Sequence, residues 1–156
     1  MKEKVLLLVL IATMGVFSIS FANLYAGIEA GSGGFSIVGG MDTGTSLIEL
    51  MLSPVGGTIS IGGSYGYLMG KIYEGKVGKE GNISVQWGIG GGAYFASAYG
   101  YNVFGFGVGP LLAEHLLINN VKLLSTQQLG LTYTPGFMGY GGGIGFGISG
   151  GVYYEF

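Results

Sequence analysis

The sequence predicts an all-β fold: eight antiparallel strands closed up-and-down into a transmembrane β-barrel, behind a cleaved signal peptide. Three observations predict it. Glycine supplies 35 of the 156 residues, while 49% are hydrophobic and only 9% are charged. From the third decade onward the hydrophobic residues alternate with small or polar ones, the two-residue period of a strand with unlike faces. Before that alternation stands a charged, then apolar, then small-residue segment that reads as an export signal.

Composition closes off several classes. Glycine at about three times ordinary usage, but without an every-third-residue period and with three prolines, is not collagen. High hydrophobicity and low charge exclude a solvated disordered chain. A net charge of −2 with no arginine leaves no basic patch for phosphates, so no nucleic-acid partner is expected. Without cysteine there is no disulfide framework, thiolate metal site or cysteine nucleophile, and neither metal nor cofactor is expected.

Met1-Lys2-Glu3-Lys4 is followed by the apolar run Val5–Ile11 and its continuation to Phe17, and Ser20-Phe21-Ala22 fits a small-x-small cleavage site. Residues 1–22 are therefore read as a signal peptide and 23–156 as the barrel. An uncleaved anchor is the alternative, because Val5–Ala22 is almost long enough to span hydrocarbon as a helix.

The elements follow from turn signals. Leu24–Gly31 places Leu24, Ala26 and Ile28 on one side and Tyr25, Gly27 and Glu29 on the other. Ser32-Gly33-Gly34 turns the chain into Phe35 to about Met41, and Asp42-Thr43-Gly44 turns it into Ser46–Leu52. Pro54 to Gly57 breaks that strand. Thr58–Tyr73 follows, with Ile59, Ile61, Tyr65, Tyr67 and Met69 opposing Ser60, Gly62, Ser64 and Gly66. Glu74–Gly81 is read as a charge-dense loop. From Ile83 the odd positions Val85, Trp87, Ile89 and Phe95 oppose Ser84, Gln86, Gly88 and Gly90. The remaining strands are Val103–Ile118, Val121–Tyr133 after a tight Asn119-Asn120 turn, and a last one in which Ile144, Phe146, Ile148, Val152, Tyr154 and Phe156 oppose small residues. Eight strands leave about 17 residues for each strand and its connection, room for the 9–11 that span a bilayer. A lipocalin-like soluble cup is the alternative, but it needs a polar exterior that so few charges cannot coat.

The C-terminal Gly-Val-Tyr-Tyr-Glu-Phe, with Val152, Tyr154 and a terminal Phe156, looks like the assembly signal of bacterial outer-membrane barrels. Gly109–Leu123, a strand, a short Asn-Asn turn and a strand, together with Trp87–Phe95 and Gly141–Gly147, resembles small eight-stranded outer-membrane β-barrel proteins of the porin-like superfamily. The similarity covers residues 83–156, and more weakly 24–73. It departs from those families in its scarcity of lumen Arg, Lys and Asp and in His115, where Tyr is usual. The resemblance implies a bacterial outer-membrane location, outer-membrane lipid as surroundings, and handling by the barrel-assembly machinery through the C-terminal strand.

The parities place Glu29, Glu49, Lys122 and Glu155 inward, joined by Glu114 if Pro110 bulges its strand and shifts the phase. Lys122, the only inward cation, must then pair, and Glu114 or Glu155 is its expected partner. Tyr65, Tyr67, Trp87 and Tyr133 head a set of aromatics, with Tyr73, Tyr99, Tyr101, Tyr140, Tyr154 and Phe156, that read as membrane-interface girdles. Ser125, His115 and Glu114 could be assembled into a lipid hydrolase, but neighbours on a strand point to opposite faces. No catalytic residue is expected. The sequence therefore points to a membrane barrel of structural or unassigned role; a narrow pore or small apolar-ligand carrier is the rival, a lipid hydrolase the third reading, and stacked cross-β a fourth.

Overall fold

A computed structural model of the chain describes residues 22–32, 34–55, 58–98, 101–134 and 142–156. The expected signal peptide, apart from Ala22, lies outside the described residues, as do Tyr99 and Tyr140. The strands are β1 (Asn23–Gly31), β2 (Gly34–Asp42), β3 (Ser46–Val55), β4 (Thr58–Val77), β5 (Gly81–Ala98), β6 (Tyr101–Ile118), β7 (Val121–Tyr133) and β8 (Gly142–Glu155). Each is antiparallel to the next, and β8 returns to β1, so the sheet is a closed up-and-down barrel. Closure gives every strand a neighbour on both sides over half of its length or more.

Three local expectations need correction. β3 does not break at Pro54 but runs on to Val55. Its pairing with β2 ends at Leu52, so the missing N–H of Pro54 falls past the last rung on that side. β4 likewise carries through Glu74 and Lys76, because its pairing with β5 persists to Val77 opposite Gly81, and Gly78 at φ +67° makes the turn. Pro110, finally, causes no phase shift. The β5–β6 register is unbroken from Gly81–Ile118 to Ala98–Tyr101; Pro110 costs only an interruption of the rungs to β7 between Val108 and Leu111. The Asn119-Asn120 turn is where it was expected, with Asn119 at φ 53°, a conformation asparagine tolerates.

The strands are strongly staggered. Following paired residues from Val77 through Gly81, Ile118, Val121, Tyr154, Ala26, Gly39 and Leu50 leads back to β4 at Gly63, well short of the start. Part of the offset comes from register shifts at Leu68/Gly70 and Lys71/Tyr73 in β4. Stagger sets tilt and diameter together, so this barrel is steeply wound and has space inside. It also leaves β4 without a β3 partner past Leu68 among the described residues, where the bulges and an exposed Lys71–Glu74 ion pair of 2.9 Å blunt the edge.

The two faces differ sharply. Ile28, Ile37, Leu50, Ile61, Ile89, Val108, Leu131 and Phe146 all point out and are exposed, in a belt around the whole barrel. Inside, Tyr25, Val38, Leu47, Leu68, Leu111, Leu124 and Tyr153 form the buried core. That core does not fill the barrel evenly: it sits toward the end where the described chain enters and leaves, and the Asn119-Asn120 turn lies.

Candidate functional site

Two tyrosines organise the lumen, and glycines position both. Tyr25 on β1 lies flat across Gly40 of β2, where a Cβ would come 2.4 Å from the ring carbon bearing the hydroxyl. That gap lets its hydroxyl cross to β3 and donate to Glu49 Oε1 at 2.9 Å. Tyr153 on β8 lies over Gly151, where a Cβ would sit 2.5 Å from the hydroxyl oxygen, and donates to Glu29 Oε2 at 2.7 Å. The rings meet edge to face at 5.2 Å. Together they form a floor across the lumen.

Below the floor lies an ionic cluster. Lys122, only 2% exposed, donates to Asp42 Oδ2 at 2.6 Å, and its ammonium stands 4.4 Å from the centre of the Tyr25 ring. Asp42 also accepts the Gly44 N–H at 2.7 Å, and His115 Nδ1 lies 3.5 Å from it. A buried ammonium needs such a partner, and hydrogen bonds at each end fix the geometry. Two atoms here are enclosed without a hydrogen-bond partner among the described residues, Gln86 Oε1 and His115 Nε2.

Above the floor the inward residues are small. A cavity of about 620 Å³ opens there, lined by serines, glycines and Thr126 together with Met51, Tyr94 and Ile148, with Glu29 and Glu49 at its base. Ser64 donates to Glu49 Oε2 at 3.0 Å, while the pairs Ser36–Ser53 (2.6 Å) and Thr126–Ser149 (2.8 Å) hold the walls. Neither tyrosine, nor Lys122, nor Asp42 reaches this cavity, so the lumen is blind at the floor.

The expected lumen charges are thus divided. Glu29, Glu49 and Lys122 are buried inside and Glu155 holds the inner parity at the barrel end, half-buried. Glu114 is exposed on the outer parity, paired across the ladder with Ser125. Lys122 bonds neither Glu114 nor Glu155 but Asp42, which sequence reasoning had spent on a turn. Tyr25 and Tyr153 were placed on the inner face without a role; Tyr153 meets a Glu of the adjacent strand, whereas Tyr25 reaches across β2 to Glu49, which alternation alone does not show. Glu114 and Ser125 face each other across the β6–β7 ladder on the outside, while the His115 ring turns inward to Asp42, so the three side chains do not form a relay. Tyr65, Tyr67, Trp87, Tyr133, Val152, Tyr154 and Phe156 are all exposed on the outside.

No protein-family model matches the chain, and no match was found among curated proteins or solved structures.

Proposed function

We infer that the chain is an exported outer-membrane β-barrel with a structural role and a lumen that does not conduct. One observation carries this reading: a continuous apolar belt on the outside of a closed barrel that keeps its buried charges, Glu29, Glu49 and Lys122, on the inside. A water-soluble barrel puts those faces the other way round, because exposed apolar surface of this extent associates or aggregates. In hydrocarbon the belt is the stable surface, and closure removes the unpaired backbone groups that lipid cannot satisfy. Tyr65, Tyr67, Trp87 and Tyr133 then serve at the headgroup level, and the exposed Val152–Tyr154–Phe156 stripe is what the assembly machinery would grip.

The rival readings gain unequally. A through-pore is opposed by the tyrosine floor. A carrier is favoured by the cavity, whose mostly apolar walls, with hydroxyls among them and the Glu29 and Glu49 carboxylates at the base, suit an occupant with an apolar body and a polar or charged end. Expression of the full-length gene in a Gram-negative host tests the main reading: the protein should fractionate with the outer membrane and begin at Asn23. Recovery in the soluble fraction would overturn it.

A further inference from the structure

We propose that the lumen cavity is a binding site for a small organic cation, an ammonium or guanidinium compound, held by Glu29 and Glu49. The proposal rests on the blind-barrel reading above and adds the chemistry of the occupant.

Charge balance at the floor carries the argument. Glu29 and Glu49 are each more than nine-tenths buried, and both line the cavity. No Lys or His among the described residues lines it with them. The one buried ammonium among the described residues is committed to Asp42 on the far side of the tyrosine rings. Carboxylates in such surroundings are stable only when paired or generously hydrogen-bonded.

The hydrogen bonds they do receive are few: one for Glu29, from the floor, and two for Glu49, from the floor and from Ser64 in the cavity wall. Tyr153 occupies Glu29 Oε2 from below, and Glu29 Oε1 has no partner among the described residues. Glu49 is held by Tyr25 and Ser64. The tyrosines therefore fix the direction of both carboxyl groups and leave acceptor capacity facing the cavity, an arrangement that favours a donor-rich, positively charged guest. The walls extend the preference: the serine hydroxyls can accept from N–H groups, and the Gln128 amide, whose nitrogen donates to the Gly90 carbonyl across β6, keeps its oxygen as another acceptor. The volume suits a small molecule. A bare metal ion fits less well, since among the described residues no three His, Cys, Asp or Glu side chains come together as ligands.

The test is calorimetric titration of the mature chain, refolded in a nonionic polyoxyethylene detergent, with 1,4-diaminobutane; butane-1,4-diol and calcium chloride are the comparison probes. Glu29→Gln and Glu49→Gln keep an acceptor for each tyrosine hydroxyl, and both variants should still migrate as folded barrels on unheated gels. The diamine is expected to bind, more weakly as salt is raised, and each substitution to weaken it roughly tenfold or more. The diol and calcium are expected not to bind. The proposal is overturned if folded protein ignores the diamine, if the diol binds as well, if calcium alone binds, or if both substitutions leave affinity unchanged. A chain that fails the gel criterion removes the barrel reading itself, and the proposal with it.

Discussion

Lys122 shows how much one residue can hold in place. Its ammonium is enclosed, joined to Asp42 and capped by the Tyr25 ring, so losing either charge strands the other inside the barrel. Lys122→Met and Asp42→Leu should each cost about 3–5 kcal/mol, and the two combined should cost clearly less than their sum. Urea unfolding in lipid vesicles reads both; additive costs would show that the pair does not act as a unit. Glycine matters at this scale for the opposite reason, by what it leaves open. Gly40→Val would drive a side chain into the Tyr25 ring, whereas Gly39→Val, one residue away, meets nothing within 4 Å. The first should lower the unfolding midpoint by several times more than the second, and equal effects would mean that Tyr25 does not lie across β2.

Strands obey a simpler rule, and it was readable. Period-two alternation assigned each segment two faces, and eight strands with those faces are present. The boundaries that failed did so where pairing overrides local signals: β3 passes Pro54 because that position has lost its β2 neighbour, and Glu74 and Lys76 stay in β4 because β5 still runs beside them. Glu114 was ambiguous only while Pro110 could be a bulge; an unbroken ladder to β5 and a ladder to β7 that keeps the same register on both sides of Pro110 remove the ambiguity. The outward face of β3 offers a direct test of its surroundings. Leu50, 69% exposed near the middle of that strand, should tolerate arginine within about 0.5 kcal/mol in water but lose about 2–4 kcal/mol in the interior of a bilayer. Unfolding of Leu50→Arg in vesicles distinguishes the two, and a neutral substitution would turn that face back toward solvent.

At the scale of the whole molecule the decisive quantity is the stagger of the strands, and it could not be read from the sequence. Alternation is local and unchanged by how far one strand slides past the next in steps of two residues. Yet sliding decides which inward residues share a level. It brings Asp42, at the end of β2, to Lys122, at the start of β7, and sets Tyr25 and Tyr153 beneath Glu49 and Glu29. The inward charges Glu29, Glu49 and Lys122 were therefore legible one by one, while the floor, the ion pair and the cavity above them were not. The same stagger divides the lumen into a packed half and a hollow half, and the proposed cation binding in a non-conducting barrel rests on that division.

All of this depends on the belt facing lipid around a closed sheet. The most direct measurement is gel mobility of the mature chain refolded in detergent, unboiled against boiled, with far-UV circular dichroism on the same sample. A compact, faster or otherwise shifted unboiled band with a β-spectrum is the predicted result, because a closed barrel resists dodecyl sulfate until heated. An unshifted band from protein that stays soluble without detergent would contradict the account and return the apolar face to the inside.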